Sequence, residues 1–226
     1  MKCSIIIPVY NEEKTVAQVI KNVKAVRHPF DKEIIVINDG SQDTSAKIIK
    51  SIKDIVYLEN NVNRGKGFSI RKGIKKATGD IILIHDADLE YDPREHIKIL
   101  NLFRDKKVNV VYGSRFLNKS HHARYHLFYL GNIGLSFITK VLFRHNISDM
   151  ETCYKAFKKD VLKNIKLQED RFGFEPEITC KLIKRGFKII EVPISYKSRS
   201  YGEGKKIGIK DGLRAIFILL KYRVFN

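Results

Sequence analysis

The chain has 226 residues, of which 43% are hydrophobic and 30% are charged, so a substantial core can form and wholesale disorder is excluded. Lys and Arg number 43 against 25 Asp and Glu, and the net charge of +18 favours an anionic partner such as nucleic acid, acidic lipid or a phosphorylated substrate. The three cysteines lie far apart, which excludes a disulfide scaffold and fits a reducing compartment.

The first half of the chain alternates short apolar runs, rich in β-branched residues, with stretches of helical spacing. The apolar runs predict strands at residues 4–9, 33–38, 55–59, 81–85 and 108–113. The helix predicted after the first strand has one apolar face, formed by Val16, Val19, Ile20 and Val23. Asn11 is its predicted N-cap. Because strands that alternate with helices form parallel βαβ units, the fold to residue 115 is predicted to be α/β.

Beyond that point the alternation breaks. Residues 118–124 are polar and basic, and residues 127–143 are largely apolar. After them we predict a helix at residues 176–185, a strand at 188–192 and a basic loop at 195–210. Gly186 and Pro193 are the residues that end the helix and the strand.

Neither a secretory leader nor an ordinary membrane span is predicted. The N-terminus lacks the apolar core of a signal peptide, and no run of about eighteen apolar residues occurs. Two shorter apolar segments, residues 127–143 and 215–220, contain or adjoin charged residues. Each of these segments fits either a membrane surface or the protein core.

The loops that follow the predicted strands are the places where an open parallel sheet binds ligands. The first loop, residues 8–13, has no glycine, so the dinucleotide fingerprint GxGxxG is absent there. No GxxxxGK(S/T) motif occurs in the chain. A Rossmann dehydrogenase and a P-loop nucleotidase are therefore disfavoured.

The fourth predicted strand leads into three carboxylates at alternate positions, Asp86, Asp88 and Glu90. Because alternate residues of an extended backbone face the same way, these side chains can converge. Hard oxygen ligands of this kind suit Mg²⁺ or Mn²⁺. Asp92 already fills the capping position before Pro93. The residues alone leave open a metal site and a solvated acidic loop.

Two basic stretches that contain glycine, residues 63–67 and 198–206, have the composition of phosphate-binding turns. The second could close over an anion as a mobile loop. Taken alone, each stretch is more typical of a solvated basic turn. His121 and His122 are interpreted as surface residues, because adjacent side chains diverge.

Seven stretches, in the same order, resemble motifs of the family-2 glycosyltransferases with the GT-A fold. They are SIIIPVYNEEKTV, EIIVINDGSQDTS, NRGKGFSIRKGIKKATGDIILIHDADLEYDP, VVYGSRF, SDMETCYKAFKKDV, FGFEPEITCKLIKRG and EVPISYKSRSYGEGKKI. Together they span roughly residues 3–215 and are most similar to dolichyl-phosphate mannose synthases and related polyprenyl-phosphate sugar transferases.

This resemblance implies a fold and a domain organisation. The fold is an α/β GT-A fold, with a Rossmann-like, mostly parallel sheet flanked by helices. The expected organisation is one catalytic domain over residues 1–226. Its nucleotide-sugar-binding half is expected at about residues 1–115, and its acceptor-binding half, with interfacial helices, at about residues 116–226.

The resemblance also implies roles for individual residues. Contacts to the nucleotide sugar are implied for Pro8, Tyr10, Glu12, Asp39, Arg64, Lys66 and Asp86. A divalent cation, Mg²⁺ or Mn²⁺, is implied at Asp86, Asp88 and Glu90. The implied catalytic residues are Asp88 and three cations near the donor and acceptor phosphates, Arg115, Arg199 and Lys205. Asp149 is the candidate base if the acceptor is a hydroxyl, and otherwise caps a helix or turn.

Three departures from the family pattern limit what can be inferred. Asn38 stands where the first aspartate of an Asp-Asp pair is usual, and Glu90 stands where mannose synthases commonly have glutamine. The segment 149–155 resembles uncharacterised relatives more than the mannose synthases. The identity of the sugar is therefore left open.

The resemblance predicts an inverting, metal-dependent hexosyltransferase. Its donor would be a nucleotide sugar of the GDP-mannose or UDP-glucose type, and its acceptor a polyprenyl (dolichyl or undecaprenyl) phosphate. A cytoplasmic enzyme at the cytoplasmic face of the membrane is expected, held peripherally by its basic surface and apolar segments, or by a partner subunit that supplies the anchor.

Three other functions are weighed against this one. The first is the same chemistry with a polysaccharide or protein hydroxyl as acceptor. The second is a nucleic-acid-binding protein, disfavoured because the basic residues are scattered and no such motif is present, so no nucleic acid is expected as a partner. The third is a catalytically silent family member that only binds nucleotide, disfavoured because Asp86 and Asp88 are both present.

Overall fold

A seven-stranded sheet organises the chain, with strand order β3-β2-β1-β4-β6-β5-β7. The computed structural model describes residues 1–117, 126–199 and 208–225, with the backbone alone at 126–128 and 209. The strands are β1 Lys2–Val9, β2 Asp31–Asn38, β3 Val56–Glu59, β4 Ile81–Ile84, β5 Val110–Ser114, β6 Lys155–Lys158 and β7 Ile189–Pro193. All strand pairs are parallel except the two that involve β6.

Seven α-helices connect and cover these strands in the described residues. They are α1 Val16–Ala25, α2 Ser45–Ser51, α3 Lys66–Lys76, α4 His96–Asn101, α5 His126–Phe143, α6 Phe174–Lys184 and α7 Ile209–Val224. Short 3₁₀ turns lie at Pro93–Glu95, Leu102–Arg104 and Lys159–Leu162. The predicted α/β class with a mostly parallel sheet is confirmed.

The central strands are buried on both faces. In β1, the successive residues Ile5, Ile6 and Ile7 are all fully buried, although neighbouring side chains point to opposite faces of a sheet. β4 is buried along its whole length. Continuous β-branched sequences therefore form strands here because helices cover both faces, as in other parallel sheets. This arrangement brings the carboxyl ends of β1, β2 and β4 together at one edge.

The local predictions for the first half are confirmed except at one cap. The apolar face predicted for α1 is buried, whereas Asn11 is not its N-cap, because the helix begins only after Thr15. Asn11 instead adopts a left-handed backbone conformation with φ 49° and accepts a hydrogen bond from the Gln42 main-chain NH. The predicted cap at Asp92 is confirmed, since its carboxylate accepts from the Arg94 NH at 2.9 Å.

The strand β6 is the element that the sequence pattern did not indicate. It enters the sheet between β4 and β5 and runs antiparallel to both. With only four residues, two of them lysines, it lacks the long apolar run that marks the other central strands. Its insertion places residues 148–154 beside the carboxyl end of β4, and therefore beside Asp86 and Asp88.

The two apolar segments of the second half form α5 and α7, which pack against each other. Each helix buries one face and exposes another. The buried residues include Leu135 and Thr139 in α5, and Ala215, Ile218, Leu219 and Tyr222 in α7. The exposed apolar residues are Leu130, Ile133, Phe137 and Val141 in α5, and Leu213, Phe217, Leu220 and Val224 in α7. None of the described helices combines the length and the hydropathy needed to cross a membrane.

Candidate active site

A cavity of about 1100 Å³ opens at the carboxyl ends of β1, β2 and β4. Ten of the predicted site residues line it: Pro8, Tyr10, Glu12, Asp39, Lys66, Asp86, Asp88, Glu90, Arg115 and Arg199. Arg64 and Asp149 lie outside the cavity lining. Lys205 falls outside the residues that the structure describes. The parallel topology thus collects side chains from distant parts of the sequence around one space.

Asp39 fixes the loop that leads into α3. Its carboxylate accepts hydrogen bonds from the Asn60 amide at 2.7 Å and from the main-chain NH groups of Arg64 and Gly65 at 2.9 and 2.7 Å. Gly65 has φ 99°, and a Cβ there would lie 2.4 Å from the main-chain oxygen of Asp170. Only glycine fits this turn. The Arg64 guanidinium stacks 4.3 Å from the Phe68 ring centre, so this side chain packs on α3 rather than facing the cavity.

Lys66, the first residue of α3, joins two carboxylates inside the cavity. Its Nζ lies 2.9 Å from Asp86 Oδ1 and 2.9 Å from Glu175 Oε1. Burial alone would lower the pKa of Lys66, but these two carboxylates raise it well above the ordinary value. Lys66 in turn outweighs the effect of burial on Asp86 and holds the pKa of that carboxyl below its usual range. Lys66 and Asp86 therefore both remain charged.

Arg199 joins three other carboxylates, which come from two different loops. Its guanidinium lies 3.1 Å from Glu12 Oε2, 2.9 Å from Asp88 Oδ2 and 3.7 Å from Glu90 Oε1. The Tyr196 hydroxyl also donates to Glu90, at 2.8 Å. Burial, together with the neighbouring carboxylates Asp86 and Glu90, raises the pKa of Asp88 to about 8 despite Arg199. This part of the cavity therefore concentrates more negative charge than one guanidinium offsets.

The donor set fits a divalent cation. Asp86, Asp88 and Glu90 supply hard carboxylate oxygens from one short segment, the ligands that Mg²⁺ and Mn²⁺ prefer. Within the described part of the chain, no three His, Cys, Asp or Glu side chains are already arranged around a common metal position. Asp86 and Asp88 are instead paired with Lys66 and Arg199. A cation at these carboxylates would take over charge compensation that Arg199 now provides.

Arg115 enters the cavity from the end of β5, held by Asp149. The Asp149 carboxylate accepts from Arg115 Nε at 2.7 Å, from its terminal nitrogen at 2.7 Å and from its main-chain NH at 2.9 Å. Burial would lower the pKa of Arg115, but Asp149 raises it well above the ordinary value. Both oxygens of the fully buried Asp149 face Arg115, which favours a positioning role for this aspartate over proton abstraction.

The far half of the cavity is mostly apolar and is bounded by α5 and α7. Its lining includes Tyr129, Gly131, Asn132, Gly134, Leu135 and Ile138 from α5, and Asp211, Gly212, Leu213, Ala215 and Ile216 from α7. A Cβ added at Gly131, Gly134 or Gly212 would meet no atom within 4 Å. We name this half the apolar groove. Phe116 packs edge-to-face on Tyr129 of this groove, and Arg115 lies over the rings of Phe116 and Tyr196. These two residues therefore join the groove to the half that holds Lys66, Arg199 and their carboxylates, which we name the charged half.

Comparison with known proteins identifies the family. The model of glycosyl transferase family 2 matches residues 4–166, which is more than half of the chain. The chain belongs to this family. It is therefore a glycosyltransferase, as the ordered motifs predicted.

The transferase is similar over nearly its whole length to several curated proteins. It is 30% identical to a UDP-N-acetylglucosamine–dolichyl-phosphate N-acetylglucosaminyltransferase of Methanococcus voltae, over 97% of this chain and 95% of that protein. It is 28% identical to a dolichyl-phosphate beta-glucosyltransferase of Trichomonas vaginalis, over 98% of this chain and 73% of that protein. An uncharacterized protein of Methanocaldococcus jannaschii is 29% identical, over 98% of this chain and 92% of that protein.

Solved structures confirm the GT-A fold of the transferase. Glucosyl-3-phosphoglycerate synthase of Mycobacterium tuberculosis, crystallised with Mn²⁺, UDP and glucosyl-3-phosphoglycerate, superposes with a TM-score of 0.75 at 16% identity. That comparison covers 100% of this chain and 81% of the synthase chain. The same synthase with Mg²⁺ and UDP superposes with a TM-score of 0.71 at 17% identity, over 100% of this chain and 80% of the other.

Two carboxylates of the transferase site, Glu151 and Glu175, were not predicted from the sequence. Both line the cavity. Glu175 stands in the first turn of α6, where an acidic residue is expected simply because it favours the helix dipole, so its position carried no signal for binding. Glu151 lies in the segment that departs from the mannose synthases. That departure was the one sequence signal that pointed to this segment, and it did not indicate which of its residues lines the cavity.

Proposed function

We propose that this glycosyltransferase transfers a hexose from a nucleotide sugar to a polyprenyl phosphate at a membrane surface, with inversion at the anomeric carbon. One observation carries the proposal: a single cavity joins the charged half, where a cation and the donor diphosphate would bind, to the apolar groove between α5 and α7. A nucleotide sugar needs the first half, and a lipid phosphate needs both halves. Relatives named as dolichyl-phosphate sugar transferases support this choice of acceptor.

At the charged half, the loop held by Asp39 and the first-strand loop at Pro8, Tyr10 and Glu12 would receive the nucleotide. A divalent cation held by Asp86, Asp88 and Glu90 would neutralise the leaving diphosphate. Release of Arg199 from those carboxylates would leave its guanidinium at the cavity wall, able to contact phosphate oxygens. Lys66 stays beside Asp86 and holds it in place.

Arg115 is placed to bind the acceptor phosphate. It lies where the charged half meets the apolar groove, and the bidentate contact with Asp149 fixes its guanidinium. A phosphate monoester is ionised near neutral pH, so its oxygen can attack the anomeric carbon without a base. The new carbon–oxygen bond forms as the bond to the diphosphate breaks, and the electron pair leaves with the nucleoside diphosphate. Attack opposite the leaving group inverts the configuration.

The exposed faces of α5 and α7 suit a membrane interface. Four large apolar side chains project from each helix next to the groove. Lys140, Arg144, Lys210, Arg214, Lys221 and Arg223 lie in or adjacent to the same two helices. Each such cation near an anionic leaflet contributes about 1 kcal/mol. We infer peripheral attachment at the cytoplasmic face, which would let a lipid phosphate enter the groove directly from the bilayer.

We also infer that both halves of the chain form one catalytic domain. β4 belongs to the first half and pairs with β6 of the second, so the sheet does not divide at residue 115. The charged half of the cavity likewise combines Asp86 with Glu175 and Arg199. This supports a nucleotide-sugar-binding half and an acceptor-binding half that share one core.

A transfer assay tests the proposal. Purified protein would be supplied with Mn²⁺ or Mg²⁺, a short polyprenyl phosphate and, in turn, labelled GDP-mannose, UDP-glucose and UDP-N-acetylglucosamine. We expect label in the organic phase with one donor, and none after chelation of the metal. Label that enters only water-soluble polysaccharide or protein would contradict the lipid acceptor and support the hydroxyl alternative. The matched control replaces polyprenyl phosphate with the corresponding polyprenol, which lacks the attacking phosphate.

A further inference from the structure

The Lys66 side of the cavity carries two carboxylate oxygens with no partner. Glu175 pairs with Lys66 through Oε1, while its Oε2 is buried and accepts no hydrogen bond from the described residues. Glu151 Oε1 is buried in the same way. Glu175 is only 4% exposed, so water does not readily replace the missing donors. A buried acceptor without a donor costs about 1–3 kcal/mol, and two of them in one cavity wall indicate a ligand that donates to both.

Glu151 is presented to the cavity by a rigid segment. Between residues 149 and 157 it is the one side chain that is not fully buried. The buried Lys155 donates to the main-chain oxygens of Met150 and Thr152, both at 2.7 Å, and so clamps the residues on either side of Glu151. A side chain held in this way is preorganised for a ligand.

One part of the proposed substrates matches these oxygens best. A diphosphate is ionised near neutral pH and a polyprenyl chain is apolar, so neither has a hydrogen to donate, and the nucleotide would lie at the loop held by Asp39 and at the first-strand loop. A hexose is neutral, carries hydroxyl donors and is attached directly to the diphosphate. Lys66 ties Glu175 to Asp86, which places this wall next to the diphosphate site. The sugar is therefore the part of the donor within reach of the two carboxylates.

We propose that Glu151 and Glu175 accept hydrogen bonds from hydroxyl groups of the transferred hexose, and that Glu151 determines which hexose the enzyme accepts. This inference rests on the proposed function and adds the position of the sugar within the cavity. A buried acceptor discriminates strongly, because a sugar without the matching hydroxyl leaves the acceptor unpaired. Since Glu151 lies in the segment that departs from the mannose synthases, a preference different from theirs is expected.

The charges around Glu151 favour a hydroxyl over an ammonium group. Glu175 and Asp149 add negative charge near it, and Lys155 and Arg115 add positive charge. Burial, together with Glu175, raises the pKa of Glu151 to about 8. Near neutral pH this side chain is held largely as the acid, which can donate to one hydroxyl and accept from another. A neutral polyol is the better match.

The test pairs Glu151 variants with donors that lack single hydroxyls. Glu151→Ala and Glu151→Gln would be assayed with the preferred nucleotide sugar and with its deoxy analogues, in a double-mutant cycle. In the wild type, loss of the contacting hydroxyl should lower kcat/KM by about tenfold to a hundredfold. In Glu151→Ala the same deoxygenation should have almost no further effect, and Glu151→Gln should recover part of the activity. Asp160→Asn, at an exposed carboxylate, is the matched control.

Binding of the nucleoside diphosphate alone separates the possible failures. We expect its Kd to be unchanged in both Glu151 variants, because the sugar is absent. A Kd that weakens in step with kcat/KM would overturn the inference and assign Glu151 a structural role. Unchanged discrimination among deoxy donors in Glu151→Ala would also overturn it, while leaving the proposed function intact. Wild-type protein that bound no nucleoside diphosphate would overturn the proposed function and this inference together.

Discussion

The two halves of the cavity are built in opposite ways. In the charged half, Lys66 and Arg199 connect five carboxylates from three segments of the chain, and almost every group is held by an ion pair. In the apolar groove, glycines leave open space and large side chains on α5 and α7 remain exposed. Most charged groups of the charged half are paired within the protein, whereas the exposed side chains of the apolar groove would gain their remaining contacts only from a lipid or a membrane. The difference indicates binding by charge in one half and by apolar area in the other.

Removal of Lys66 should have the largest effect on stability. It tests whether the charged half depends on buried ion pairs. Lys66→Met would leave Asp86 and Glu175 buried without their shared cation. We expect the free energy of unfolding to fall by about 3–5 kcal/mol. Urea denaturation measures it. Lys50→Met, at an exposed pair with Glu59, is the control and should change stability little. Equal losses of stability from the two substitutions would show that the buried pairs of Lys66 stabilise the protein no more than an exposed pair does.

Asp149→Asn separates a base from a positioning residue. It removes the charge that compensates the buried Arg115 but keeps one acceptor. We expect a stability loss of about 3 kcal/mol and a lower affinity for the acceptor phosphate. The pH profile of kcat should keep its shape, because no proton passes through Asp149 in the proposed reaction. A profile that loses its acidic limb, the fall in kcat at low pH, would instead support proton abstraction from a hydroxyl acceptor.

Arg199→Ala sharpens the comparison within the charged half. Without the guanidinium, a metal ion no longer competes with Arg199 for the carboxylates of Asp88 and Glu90. We expect Mn²⁺ to bind about tenfold more tightly in the absence of donor, measured by titration calorimetry. Transfer should nevertheless fall by about a hundredfold, because a cation near the diphosphate is lost. Lys197→Ala removes an exposed cation two residues away and is the control. Unchanged Mn²⁺ affinity would show that Arg199 does not compete with the metal.

Charges on the exposed faces of α5 and α7 should have the smallest effect on the folded protein. Phe137→Glu and Phe217→Glu replace side chains that are 63% and 65% exposed, so stability should hardly change. Binding to anionic vesicles should weaken by about tenfold or more for each substitution, because apolar area is lost from the membrane contact. Ile97→Glu, on α4, is the control. If neither substitution changes sedimentation with vesicles, the exposed faces of α5 and α7 do not bind a membrane.

Much of the first half could be predicted because its signals are local. A buried strand is visible as a run of consecutive β-branched residues, and the apolar face of α1 as apolar residues at helical spacing. The acidic segment at Asp86 and Asp88 was recognisable for the same reason, since both follow one strand. Asn11 was misassigned because a left-handed turn, held by a hydrogen bond to a distant loop, delays the start of α1. Such a contact has no local signature.

The roles of several site residues could not be predicted because they depend on partners far away in sequence. Asp39 was expected to contact the nucleotide, and the structure shows that its carboxylate anchors the loop at Arg64 and Gly65. Arg64 was expected at the site, yet it stacks on Phe68. The position of Asp149 against Arg115 follows from the pairing of β5 with β6, and that antiparallel pairing was not visible in the residues of β6.

The amino-acid sequence by itself determined the α/β class, the order of motifs and the family, because each is carried by local periodicity or by short runs of specific residues. It also determined which segments are apolar enough to lie at a membrane surface or in the protein core. Tertiary structure alone decided which carboxylates share a cation, which glutamates face the cavity without a partner, and where the apolar groove meets the charged half. Those features are relations between distant residues, and burial and charge pairing exist only once the sheet has brought the residues together.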